Sequence, residues 1–135
     1  MRLELTKRAD YAIRAVVALA AAPVDRLSVR RIAADRDIPV GFLPQVMADL
    51  LAASIVEGLA GRTGGYRLAR TADSITVLQV IEAVEGDSRR TTCVLRGGAC
   101  QVDGICDAHR LFAATQEVML SELGGATIAS LRRDG

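Results

Sequence analysis

A mainly α fold is predicted here: a winged helix-turn-helix with a small β-hairpin wing and a long C-terminal dimerisation helix. Three observations predict it. Apolar residues recur at three-and-four spacing in several separate segments. Two of those segments are joined by only Asp37-Ile38-Pro39, which is the layout of a helix-turn-helix. Two short alternating stretches then flank a glycine-rich turn, Gly61-Arg62-Thr63-Gly64-Gly65, as in a hairpin.

The first helix spans Thr6 to Ala21, with Ala9, Ala12, Ile13, Val16, Val17 and Ala20 on one face, Thr6 as N-cap and Pro23 as stop. Ser28 caps a second helix, Val29 to Arg36, that turns Ile32 and Ala33 inward. The third helix covers Val40 to Ala53 and buries Leu43, Val46, Met47 and Leu50, with Pro44 tolerable in its first turn. Ile55-Val56-Glu57-Gly58-Leu59 and Tyr66-Arg67-Leu68 form the hairpin strands. Thr76 and Gln79 make a capping box for a helix whose apolar face is Val77, Val80, Ile81 and Val84, ended by Gly86. Asp87 to Gly104 lacks periodicity and reads as a loop. A last long helix runs from Asp107 to Leu123, and Thr127 caps a final turn packing Ile128 and Leu131. The chain thus divides into a winged helix-turn-helix DNA-binding domain (1–85), a cysteine-containing cluster loop (86–106), and a dimerisation helix with a C-terminal turn (107–135).

Composition narrows the function. The chain has 135 residues, 50% hydrophobic and 24% charged, which is ordinary for one folded domain and excludes low-complexity disorder for most of it. Its apolar run Ala15 to Val24 is half a membrane span. Charges at Lys7, Arg8, Asp10 and Arg14 break any signal-peptide plan, so no membrane partner and a cytoplasmic location are expected. The net charge of +1 hides an asymmetry: residues 1–72 carry 11 Lys/Arg against 7 Asp/Glu, and residues 73–135 carry 6 against 9. A basic first half suits a polyanion partner.

The helix-turn-helix supplies a mechanism. A recognition helix enters the major groove with its N-terminal residues against base edges. Here those are Val40, Gly41, Phe42 and Gln45. Gln45 can pair with adenine, and Phe42 can touch a thymine methyl. Arg62 and Thr63 sit at the wing tip, where the glycines permit close approach to DNA. Lys7, Arg8, Arg30, Arg31 and Arg67 are available for phosphates. The competing interpretation is a protein-interaction module with a solvated basic face. On the last helix, Leu111, Ala114, Thr115, Val118 and Met119 form an apolar stripe. It marks a self-association surface, or else simply covers the helix Val77–Val84.

Cys93, Cys100 and Cys106 precede the chain's single histidine, His109, with gaps of six, five and two residues. An odd thiol count argues against a disulfide framework. Soft thiolates suit an iron–sulfur cluster or zinc. Without a Cys-x-x-Cys pair a disulfide oxidoreductase is disfavoured, and Gly61–Gly65 lacks the Gly-Lys-Ser/Thr of a phosphate loop.

Leu5-Thr6-Lys7-Arg8-Ala9-Asp10-Tyr11-Ala12-Ile13-Arg14-Ala15, then Gly61-x-x-Gly64-Gly65-Tyr66-x-Leu68-Ala69-Arg70, then the three cysteines, together resemble the Rrf-two family of bacterial transcription regulators. The resemblance extends to Thr127-Ile128-Ala129-Ser130-Leu131. It implies a non-enzymatic, homodimeric regulator, a repressor in the first instance, that binds double-stranded DNA at a palindromic operator. It also implies that Cys93, Cys100 and Cys106 hold an iron–sulfur cluster that gates DNA binding in response to iron, redox state or nitric oxide. His109 matches the fourth ligand of one branch of the family and favours 2Fe-2S over 4Fe-4S. Asp10 matches the carboxylate ligand of another branch and is the alternative. The sequence departs from the family at Ala60, where an arginine is usual before the wing glycine, and at Val40, Gly41 and Pro44 in the groove helix. The rivals are a zinc-stabilised DNA-binding protein without sensing and a cluster-carrying redox protein.

Overall fold

Helix α1 (Lys7–Ala21) is the hub on which three other helices pack. A computed structural model of the chain describes residues 4–22, 25–61, 64–86 and 108–131. Against α1 lie α2 (Val29–Arg36), α3 (Leu43–Ala52) and α4 (Val77–Glu85). The burial on α1 is broader than one face, taking in Ala15, Ala18 and Leu19 as well as Ala9, Ala12 and Val16. Three helices share this surface, and alanine side chains let them approach closely. Thr6 caps α1 by accepting the Ala9 N–H at 3.1 Å, and its hydroxyl donates to Glu85 of α4, tying the two helices at their ends.

Ser28 caps α2 by accepting the Arg31 N–H at 3.1 Å. The helix stops at Asp37, whose φ of 53° is left-handed, a conformation a short polar side chain tolerates. Buried Ile38 then anchors the turn. The third helix departs from expectation at its start. Val40–Phe42 form a 3-10 turn, and regular α-helix begins at Leu43. Pro44 lacks an N–H and no side chain caps this end, so the Phe42 N–H closes onto Pro39 O at 3.0 Å instead. Leu43, Val46, Met47 and Leu50 are buried as the spacing predicts.

Strands β1 (Val56–Leu59) and β2 (Gly65–Leu68) pair antiparallel, with Val56 opposite Leu68 and Leu59 opposite Gly65. Ile55 falls just outside the ladder, held by Leu50 O and by the Ala69 N–H. Leu27 adds a one-residue third strand, exchanging bonds of 2.9 and 2.8 Å with Tyr66. Here a glycine is required: a Cβ on Gly65 would lie 2.5 Å from Leu27 O. Likewise a Cβ on Gly64 would lie 2.3 Å from Leu59 O. The wing's own backbone therefore requires these two glycines. Gly65→Ala is expected to break the Leu27–Tyr66 bridge and lower Tm by roughly 3–10 °C, the scale of an overpacked site. An unchanged melting curve would contradict that assignment.

Helix α4 opens with the capping box of Thr76 and Gln79 and ends at Gly86. Helix α5 (His109–Gly125) follows. It runs antiparallel to α4, since Gly124 lies beside Leu78 while Gln116 lines a cleft with Glu85. The chain then returns to the N-terminal core. The Val77 N–H donates to Ala126 O at 2.9 Å and the Ile128 N–H to Ile75 O at 2.8 Å. Ile128 is fully buried, but Leu131 is 40% exposed, contrary to the expected packing of both. A 3-10 turn rises about 2 Å per residue, which carries Leu131 off the edge of the core. No helix among the described residues is long and apolar enough to cross a membrane.

Candidate nucleic-acid interface

The first turn of the recognition helix stands in the open. Val40 is 54% and Phe42 40% exposed, and Gly41, Pro44 and Gln45 are exposed beside them. Nothing lies within 4 Å of a Cβ placed on Gly41. Two large apolar side chains at a helix start, next to a bare backbone, are what a groove floor with thymine methyls can cover. Phe42 is not loose: its ring meets Tyr11 of α1 edge-on, with centroids 5.1 Å apart. Arg14 in turn lies over Tyr11, its guanidinium carbon 5.9 Å from the ring centroid. Helix α1 therefore sets the pose of Phe42.

The basic residues divide into two groups. Arg8 pairs with Asp49, Arg31 with Asp35, and Arg67 with Glu57 across the hairpin. Lys7 and Arg30 have no ion-pair partner among the described residues and are exposed. Exposed pairs of this kind contribute only about 0–1 kcal/mol, so exchanging a carboxylate for a phosphate costs little. Arg62 and Thr63 lie outside the described residues.

Asp49 is a residue the sequence reading missed. One of its oxygens accepts from Gln45 Nε2 at 3.0 Å, and the other pairs with Arg8. Its place four residues after Gln45 could have signalled the first contact. The second joins residues 41 apart in sequence and needs the fold.

Cys93, Cys100 and Cys106 also lie outside the described residues. Among those described, no group of three or more His, Cys, Asp or Glu could hold a metal. The two remaining ligand candidates can be compared directly. His109 is exposed at the head of α5, with no hydrogen-bond partner among the described residues. Asp10 accepts from Arg14 at 3.0 and 3.2 Å. By residue type, three thiols and an imidazole are a donor set that fits an iron–sulfur cluster.

Along α5 all five stripe residues, Leu111, Ala114, Thr115, Val118 and Met119, are exposed, with Leu111 at 66% and Val118 at 64%. Met119 lines the cleft shared with Val77, Leu78 and Ile81 together with Leu120 and Leu123, whereas Leu111 and Val118 do not. Covering α4 therefore does not account for Leu111 and Val118. Thr115 spends its hydroxyl on Leu111 O at 2.9 Å, leaving its methyl group to the surface.

A family model described as Rrf2, iron-dependent transcriptional regulator, matches residues 5–134. The HTH-type transcriptional regulator NsrR of Shouchella clausii is 30% identical over 125 residues, covering 87% of this chain and 83% of that protein. The HTH-type transcriptional regulator IscR of Cereibacter sphaeroides is 37% identical over 86 residues, 62% of this chain and 56% of that protein. Among solved structures, CymR of B. subtilis, described as a global cysteine regulator, superposes with a TM-score of 0.78 at 21% identity, covering 96% of each chain.

Proposed function

The chain belongs to the Rrf2 family of winged-helix transcriptional regulators, non-catalytic proteins that bind DNA, and on that premise we propose a homodimeric regulator whose grip on a palindromic operator is gated by an iron–sulfur cluster. The observation that carries the DNA-binding half is the open first turn of the recognition helix, with Val40 and Phe42 exposed and Phe42 steadied by Tyr11. A two-fold axis relating two such helices calls for half-sites one helical turn, or a multiple of it, apart. Repression, in the cytoplasm, follows when such an operator overlaps a promoter.

The gating half rests on the donor set. Cys93, Cys100 and Cys106 would supply three thiolates, and His109 the fourth donor, to a 2Fe-2S cluster. Asp10 of the partner subunit is the alternative donor, for a 4Fe-4S cluster. When bound, the cluster supplies iron that responds to iron supply, oxidants or nitric oxide. His109 heads α5, so ligation there acts on the helix that carries the exposed stripe. Subunit pairing then sets the spacing of the two recognition helices, a population shift between two arrangements.

Purification without oxygen, with iron, sulfide and zinc counted, tests this reading. A brown protein with iron and sulfide in similar amounts is expected, while a colourless zinc protein would overturn it. His109→Ala should alter the visible spectrum and shed the cluster faster, with Asp10→Ala close to wild type. The reverse pattern moves the fourth ligand to Asp10.

A further inference from the structure

We propose that Asp49 is a positioning residue that fixes which edge Gln45 presents to DNA, so that the recognition helix selects adenine at one position of each half-site. The inference rests on the DNA-binding reading above and adds a specificity determinant to it. Gln45 Nε2 donates to Asp49 Oδ1 at 3.0 Å. The second carboxylate oxygen, Oδ2, pairs with the Arg8 guanidinium. An ionised carboxylate only accepts hydrogen bonds. Asp49 therefore dictates that the amide nitrogen of Gln45 turns back toward the helix, and in which order the amide presents its oxygen and its remaining N–H outward.

That outward edge is one acceptor beside one donor. Adenine offers the complement in the major groove, a donor at N6 beside an acceptor at N7. Guanine offers two acceptors, O6 and N7, and sets one of them against the Gln45 oxygen. Without Asp49 the amide is free to turn, and both N–H groups of Nε2 can then face the two acceptors of guanine. Arg8 completes the arrangement. A carboxylate alone on a phosphate-facing surface repels DNA, and the guanidinium from α1 offsets that charge. The Asp49 side chain is 23% exposed, against 47% for Arg8, so the carboxylate is the better sheltered partner of the pair.

The test is selection of bound duplexes from a randomised library by the full-length dimer, run in parallel with Asp49→Ala, Asp49→Asn and Gln45→Ala. Binding of each protein to one unselected duplex and a thermal melt accompany it. Wild type is expected to enrich adenine at one position per half-site. Both Asp49 variants should lose about ten-fold of the adenine-over-guanine preference there. Their affinity for the unselected duplex should hold or rise, because a negative charge has left the face. Adding Asp49→Ala to Gln45→Ala should cost no further preference. Retained preference in the Asp49 variants overturns the proposal while leaving the regulator reading intact. So does a parallel fall in selected and unselected binding, which marks a structural role only. Failure of wild type to bind any duplex overturns both readings.

Discussion

Binding to a selected operator duplex is expected to weaken roughly a thousand-fold or more as monovalent salt rises from about 50 to about 200 mM. Each phosphate neutralised on duplex DNA contributes about −0.9 to the slope of log affinity against log salt. Lys7, Arg8, Arg30, Arg31 and Arg67 of a dimer would together give a slope of about −9. Lys7 and Arg30 alone, the two without ion-pair partners among the described residues, would give about −4 and a loss nearer a hundred-fold. The pairs Arg8–Asp49, Arg31–Asp35 and Arg67–Glu57 are solvent-exposed and stabilise the fold weakly. Phosphate should therefore displace Asp35 and Glu57 while Arg8 keeps Asp49, and a slope steeper than about −6 is the expected result. A slope flatter than about −2 would mean that the basic residues are not the interface.

Val118→Glu is expected to separate the subunits and to reduce affinity for the two-half-site duplex by about a hundred-fold or more, since joint binding of two linked half-sites is lost. Val118 is 64% exposed on α5, so a glutamate there meets water in a lone subunit and would meet a buried apolar surface in the proposed pair. The protomer's own core does not contain it, and helical structure by circular dichroism should be retained. Sedimentation gives the answer directly. A Val118→Glu protein that remains a dimer at micromolar concentration would place the subunit contact elsewhere.

Most of the fold was legible because its signals are local. Thr6, Ser28 and Thr76 cap the helices they were expected to cap, and the three-and-four spacing located Val46, Met47, Leu50, Val80 and Ile81 in the core. The misreadings share a different origin. The 3-10 start of the recognition helix depends on how Phe42 closes onto Pro39, which apolar spacing does not report. The need for glycine at 64 and 65 comes from Leu59 and Leu27, backbone neighbours set by the hairpin and by a bridge residue far off in sequence. Leu131 lies on the apolar pattern yet past the end of the core.

The site was legible by residue type and less so by pairing. The exposed set Val40, Gly41, Phe42 and Gln45 follows from the position of a helix start. That three of five expected phosphate contacts already hold carboxylates does not, because two of those pairs bridge separate elements. The stripe on α5 was ambiguous between covering α4 and meeting a second subunit. Leu120, Leu123 and Met119 line the cleft beside α4, while Leu111 and Val118 stay outside it, which is what the proposal of a second subunit draws on. Cys93, Cys100 and Cys106 lie outside the described residues, so the cluster proposal stands on donor chemistry, on His109 exposed at the head of α5 and on the family.

The most direct test of a cluster-gated regulator is one pair of dissociation constants. The oxygen-free, iron- and sulfide-loaded protein and the same preparation stripped of metal are titrated against one selected duplex at one salt concentration. The account predicts that the two differ by about ten-fold or more, within the range typical of coupling between sites. Affinities equal within about two-fold, with both forms dimeric, would contradict gating and leave a DNA-binding protein that carries its metal for another purpose.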